Sequence, residues 1–250
     1  MTNSTKESIK KLLLNIVTDT IMRTKANLLG DRKPFHKALL DNEVIKLSSF
    51  ERSFSTSFGQ KYVEEISRLI VEGTGISCYR QHLLKVSIFQ GAADQIDTIM
   101  AYLKTNRTRP DWNRELADIA AHDKGRTIVR DVISDLYFER NGIKHYFSIK
   151  TVKPNLDQTS IAKRDMLYIK AHNPLNEPYF ALYYNPTGEG QDEYNYSQPF
   201  KYFNMKHDSC VLIGKTYWDF LGGLGTYEEL LKIFNEVGQI TIDQVKSMKL

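Results

Sequence analysis

Three residues carry the first chemical signal in this 250-residue chain: Asp135, Ser148 and Lys150. They lie in two alternating runs, Val132 to Glu139 and Ile143 to Lys150, separated by Arg140-Asn141-Gly142. Asn-Gly between alternating runs is a strong hairpin signal. With Asn141-Gly142 as a two-residue loop, Arg140 pairs with Ile143 and opposed residues have numbers that sum to 283. Asp135 then lies across from Ser148, and Lys150 sits diagonally on the same face, on the order of 7 Å away. Alternation places Ile133, Asp135, Tyr137, Ser148 and Lys150 on one face, and Val132, Leu136, Phe138, Phe147 and Ile149 on the other, which is expected to be core.

A carboxylate beside an ammonium on adjacent strands suits metal-assisted hydrolysis of a phosphodiester. The carboxylate would hold Mg²⁺, which polarises the phosphate and lowers the pKa of a bound water. The ammonium would orient that water and offset charge developing on phosphorus. Mg²⁺ usually takes one or two carboxylates plus substrate oxygens, so a sparse ligand set suffices. A plain cross-strand ion pair, worth ~0.2–1 kcal/mol, has the same spacing, so the surroundings must decide.

Those surroundings are basic. The whole chain carries a formal charge of only +4, from 34 Lys+Arg against 30 Asp+Glu, which permits a nucleic-acid partner without requiring one. Between Arg140 and Lys170, however, seven basic residues (Arg140, Lys144, Lys150, Lys153, Lys163, Arg164, Lys170) meet two acids (Asp157, Asp165), a net of +5 that leaves about −1 for the rest. The second strand runs into KTVKPNLDQTSIAKRDML, a basic turn entering a helix with Gln158, Lys163 and Arg164 near its start. Helix N-terminal amides and cations both favour phosphate. A solvated helix face behind a Pro-Asn turn has the same composition.

The remaining elements must position this hairpin. Ser4 to about Thr24 has helical spacing of Ile9, Leu12, Leu13, Ile16, Val17 and Thr20. Asp31-Arg32-Lys33-Pro34 reads as a turn and the Ser-rich run Ser48 to Ser57 as a loop. Helices are expected over Gly59 to Gly73, Asp94 to Lys104, and from Trp112 to Ala120. Pro154 to Ala171 reads as helix, Pro178 to Tyr184 and Cys210 to Ile213 as strands, and Asn185 to Asp208 as a long surface loop or small insertion. Thr226 with Glu229 reads as a capping box opening a helix from Tyr227 to Val237. The sum is a single α/β domain with helical additions at its N-terminal side.

Several classes are excluded. Hydrophobic residues at 41% and charged residues at 26% describe an ordinary globular chain. No apolar run approaches the ~20 residues of a membrane span, and the first residues lack the pattern of a secretory signal. Two cysteines, Cys78 and Cys210, give neither a disulfide framework nor zinc-ligand spacing, so a reducing, cytoplasmic location is expected. Gly214-Lys215-Thr216 lacks the first glycine of a phosphate loop, since Ser209 stands there. The six histidines are scattered without zinc or His-nuclease grouping. Tyr194, Tyr196, Phe200, Tyr202 and Phe203 could stack on bases or pack on their own domain.

The pattern Asp135-(x)12-Ser148-Ile149-Lys150 resembles the PD-(D/E)xK nuclease signature. The longer strings SFSTSFGQKYVEEIS, SIKTVKPNLDQTSIAKRDML and YWDFLGGLGTYEELLKIFNEVG, in order from Ser53 to Gly238, resemble the TdeIII type of type II restriction endonuclease. The resemblance implies a restriction-endonuclease-like α/β core over 53–238, with a mixed central sheet flanked by helices and an N-terminal helical extension over 1–50. It implies Mg²⁺-dependent, sequence-specific cleavage of double-stranded DNA, by a homodimer, at a short palindrome of the GGNCC kind, with a cognate DNA methyltransferase as genetic partner. Asp135 would bind the metal, Lys150 would position the water, and Lys153, Asn155, Gln158, Lys163 and Arg164 would contact DNA. The chain departs from the signature at Ser148, where an acid is usual; serine brings no negative charge to a metal. Glu64, in the string that resembles the family's first core helix, is the leading replacement, as second metal ligand or water-orienting carboxylate, ahead of Glu65, Asp157 and Asp165. A repair or recombination nuclease of the same fold, or a catalytically inactive DNA-binding protein, fits the same residues.

Overall fold

The switch from helical to alternating spacing after Gly125 becomes the centre of a sheet. In the computed structural model, which describes residues 1–30 and 32–246, five strands lie side by side in chain order. They are β1 (Cys78–Phe89), β2 (Thr127–Arg140), β3 (Ile143–Lys150), β4 (Glu177–Leu182) and β5 (Val211–Ile213). The first three are antiparallel, and β3, β4 and β5 are parallel. The hairpin forms as its spacing predicts, with Asn141 and Gly142 at φ 54° and 75°, the left-handed pair that favours Asn-Gly. Arg140 lies opposite Ile143 and Leu136 opposite Phe147.

Nine helices are described: α1 (Asn3–Gly30), α2 (Pro34–Leu39), α3 (Asn42–Ser57), α4 (Val63–Glu72), α5 (Gln90–Lys104), α6 (Trp112–Ala120), α7 (Leu156–His172), α8 (Lys215–Gly222) and α9 (Thr226–Lys246). One core lies between the sheet and α5, α6 and α7, around Ile96, Trp112, Leu167 and Phe180. The other lies between the sheet and α1, α4, α8 and α9, around Ile16, Ile66, Phe147 and Leu221. This three-layer α/β arrangement with a mixed sheet is the expected fold class.

Several expectations need correction. The hairpin has no single core face, because Leu136, Phe138, Phe147 and Ile149 pack toward α4 while Val132 packs with Tyr146 toward α7. The core that β2 faces thus changes between Val132 and Leu136. Ser48–Ser57 is the end of α3, whose start is capped by Asp41 accepting from the Glu43 amide at 2.6 Å. Asp31, placed in a turn from sequence, lies outside the described residues. The strand β1 had no counterpart in the sequence reading. The 185–208 segment turns inward, burying Tyr194, Tyr202, Phe203 and Met205. At α9 the helix forms without its expected box: Asp219 caps the Tyr227 amide at 3.0 Å and Glu229 pairs with Lys6 at 2.9 Å. A true capping box closes α7 instead, between Asn155 and Gln158. No described helix is long and apolar enough to cross a membrane.

One buried polar residue gives this fold a pH dependence. His145 on β3 is 7% exposed and its Nδ1 has no hydrogen-bond partner. Burial, then the nearby Arg140 cation, lowers its pKa below the ordinary histidine value. Its stabilising neutral form is therefore fully present above the unfolded-state value of ~6.5 and is lost as pH falls through the lower folded value. Thermal melts should show the midpoint falling on acidification below about pH 6.5, with a shallower fall in His145→Leu; equal slopes in both proteins would refute this.

Candidate active site

The site lies where β2 and β3 part. Their ladder runs from Arg140–Ile143 to Leu136–Phe147 and stops one residue short of the expected Asp135–Ser148 pair. Beyond it β3 stays paired with β4, Ser148 opposite Phe180 and Lys150 opposite Leu182. The Ile149 amide, left without its β2 carbonyl, donates to Asp135 Oδ2 at 2.7 Å. The same oxygen accepts from Lys150 Nζ at 3.0 Å. The carboxylate thus replaces a backbone acceptor and is pinned by two donors, while both side chains keep about a fifth of their surface exposed.

Glu64 arrives from the first turn of α4 and is 7% exposed. Its oxygens accept from Gln81 Nε2, at 3.1 Å each, and from Arg80 Nε at 3.2 Å. Gln81 Nε2 also reaches Asp135 Oδ1 at 3.4 Å, so one amide bridges the two carboxylates. Burial raises the Glu64 pKa, and the Asp135 charge pushes it the same way against the pull of Gln81 and Arg80. The adjacent Glu65 turns outward into pairs with Arg68 at 2.6 Å and Arg80 at 2.9 Å, and Arg68 is the main cause of its lowered pKa. The helix therefore separates the Glu-Glu pair into one inward and one surface carboxylate.

On the other side, α7 brings Asp165 close enough for its charge to couple with Lys150 and Asp135; burial pushes its carboxyl up to about 6 against the pull of Lys150. Asp157 lies exposed in the first turn of α7, away from this group. Ser148 is half-buried on β3, and it is the amide of its neighbour Ile149 that bonds the Asp135 carboxylate. Arg80 and Gln81 are the two site residues sequence reasoning missed.

Comparison with known proteins bears on what such a group does. The sequence model of the family described as "Type II restriction endonuclease, HinfI" matches residues 1–238. The chain belongs to this family of type II restriction endonucleases. Type II restriction enzyme HgiCII of Herpetosiphon aurantiacus is 32% identical, across 84% of this chain and 78% of the relative. HgiEI of the same organism is 30% identical over the same shares. MjaII of Methanocaldococcus jannaschii is 26% identical, across 94% of this chain and 71% of the relative. No solved structure matches. The class expected from the strings is the class matched, and the matching family is that of HinfI.

The endonuclease does not use its basic segment as the composition suggested. Arg140 donates to the Phe220 and Leu221 carbonyls at the end of α8, at 2.7 and 2.6 Å. Lys150 binds Asp135, and Lys170 binds Glu177 at 2.8 Å. Lys163, expected to contact DNA, is fully buried, 2.5 Å from Glu115 and over the rings of Trp112 and Phe203; it cannot reach a phosphate from there. Asn155 and Gln158 are exposed at the start of α7 but spend an acceptor each on the capping box. Lys144, Lys153 and Arg164 remain exposed, with Arg164 3.8 Å from Asp97. The exposed cations of this segment thus reduce to three.

Among the described residues no cluster of three or more His, Cys, Asp or Glu is placed to hold a metal. The donors present at the fork are all oxygens: Glu64 and Asp135, two carboxylates already bridged by a hydrogen-bond donor. Hard oxygen donors with one or two carboxylates suit Mg²⁺ better than a softer ion.

Proposed function

We propose that this chain is a Mg²⁺-dependent endonuclease that cuts both strands of DNA at a short palindrome of the GGNCC kind. The observation that carries this reading is the fork at Asp135, where one carboxylate, held by the Ile149 amide and Lys150, lies one amide away from the buried Glu64. Asp135 and Glu64 would hold the metal, which would supply charge stabilisation on the phosphate and acidify a water. Lys150, fixed by Asp135, holds the attacking water by hydrogen bond and offsets negative charge growing on the phosphoryl oxygens. Ser148 marks the motif and brings no charge to the metal. The exposed Lys153 and Arg164, with the polar start of α7 at Asn155 and Gln158, contact the backbone. A palindrome calls for a twofold reader, hence a homodimer, working in the cytoplasm beside a DNA methyltransferase that protects host sites. Residues 1–250 act as one nuclease domain.

The test is incubation of purified protein and Mg²⁺ with a long unmethylated duplex, followed by gel electrophoresis. Discrete fragments that disappear when EDTA is added are the expected result. Progressive shortening from the ends would point to a repair nuclease instead. Intact DNA with a retained gel shift would mean a protein that binds without cutting.

A further inference from the structure

We propose that Gln81 supplies the third protein oxygen of the divalent-cation site, its side-chain carbonyl taking the place of the acid missing at Ser148. The inference rests on the reading that Glu64 and Asp135 bind the cation.

Gln81 is the one position of β1 between Cys78 and Phe89 that has no partner in the β1–β2 ladder; Arg80 pairs with Leu136 and His82 with Ser134, which leaves Gln81 opposite Asp135. Its φ is +50°, a left-handed conformation that costs a residue other than Gly, Asn or Asp on the order of 1 kcal/mol or more. Successive strand residues ordinarily point to opposite faces. Here Arg80 and Gln81 both reach Glu64, at 3.2 and 3.1 Å, and the left-handed residue is what lets two neighbours converge. Strain held at such a place is a mark of function when the surroundings enforce it.

Both carboxylates lie within reach of one amide, close enough together to share a cation. An octahedral Mg²⁺ site with bonds of about 2.1 Å sets neighbouring oxygens about 3 Å apart. The Gln81 amide end lies 3.1 Å from both Glu64 oxygens and 3.4 Å from Asp135 Oδ1. A primary amide has a donor end and an acceptor end of nearly equal size. With no cation between the carboxylates, the NH₂ end neutralises their mutual repulsion; with a cation there, a half-turn presents the carbonyl. Serine at position 148 has no such reach, and its β3 neighbour Ile149 already claims Asp135 Oδ2.

The experiment titrates Mn²⁺ into the full chain, following free Mn²⁺ by electron paramagnetic resonance, with melting temperatures in EDTA and in Mn²⁺ recorded in parallel. Gln81→Met, which keeps length and removes the carbonyl, should weaken Mn²⁺ binding about tenfold or more, the scale seen for groups that support metal ligands. Gln81→Glu should bind at least as tightly as the unaltered protein and gain more melting temperature from Mn²⁺, because the cation relieves three converging carboxylates. Asp135→Asn is the control and should lose binding. If Asp135→Asn loses Mn²⁺ while Gln81→Met binds within about twofold of the unaltered protein, the role of Gln81 is overturned and the metal site stands. If Asp135→Asn binds normally, or the unaltered protein binds none, the metal reading fails and this one with it. Should Gln81→Met not fold, Gln81→Glu decides: weaker Mn²⁺ binding there overturns the proposal.

Discussion

Asp135→Asn and Lys150→Ala should each lower DNA cleavage by about 10²–10³-fold or more, the cost of removing one preorganised charge-stabilising group, while leaving duplex binding in EDTA close to that of the unaltered protein. Asparagine keeps a carbonyl that can accept from the Ile149 amide, now at 2.7 Å from the carboxylate, so the fork should survive. What is lost is the negative charge between Lys150 and the Glu64 side of the site. Lys150→Ala removes the ammonium 3.0 Å from Asp135 and leaves the carboxylate still bonded to a backbone amide. Cleavage rates on a plasmid, gel shifts without metal and thermal melts together separate chemistry from folding. Either variant cutting at the normal rate would remove its residue from the active site.

Lys163→Met should cost stability rather than DNA affinity, by about 3–5 kcal/mol, the range for breaking a buried ion pair by deleting one partner. Its ammonium lies 2.5 Å from Glu115 with both side chains out of solvent, and the rings of Trp112 and Phe203 lie within 4.8 and 4.7 Å of it. Glu115 also accepts from the Asp111 amide at 3.1 Å, tying the pair to the start of α6. Burial already holds the Glu115 carboxyl above its usual range against the pull of Lys163, so removing the cation strands an expensive charge. For a chain of this size the loss amounts to a melting temperature lower by about 10 °C. The double variant Lys163→Met, Glu115→Leu should recover most of it, since apolar replacement of a whole buried pair is often neutral or better. A DNA contact would behave in the opposite way, with unchanged melting and weaker, less salt-sensitive binding.

The hairpin was readable because its information is local: alternation, an Asn-Gly turn and a fixed register bring Asp135 and Lys150 together within sixteen residues of chain. Helices α4, α6 and α7 were readable for the same reason, through apolar spacing and turn chemistry. β1 was not, and the cause is the site itself. Arg80, Gln81 and His82 interrupt the strand with three polar residues, two of which exist to serve Glu64. Local rules tend to fail where function overrides them. The charge of residues 140–170 misled for a different reason: four of its seven cations are withdrawn from the surface onto partners supplied by Phe220 and Leu221, Asp135, Glu115 and Glu177. Two of these contacts reach far along the chain, and a composition count cannot see them. The Ser-rich end of α3 looked like a loop because serine favours turns locally, yet stacked Phe50, Phe54 and Phe58 carry the helix through it.

That aromatic stack leads into the π-helical turn Phe58–Tyr62, where the Val63 amide bonds back five residues to the Phe58 carbonyl. Such a turn amounts to one residue inserted into an α-helix. An added residue advances the helix by about 100° and 1.5 Å. Two anchors lie on either side of it: Phe58, seated against Tyr183 and Phe234, and Glu64, aimed at Gln81. The turn therefore works as a phase spacer in a single rod running from Asn42 to Glu72. With that residue deleted, the rod could satisfy its aromatic anchor or its carboxylate, but not both, and insertions or deletions here would be read out at the fork as a missing acid.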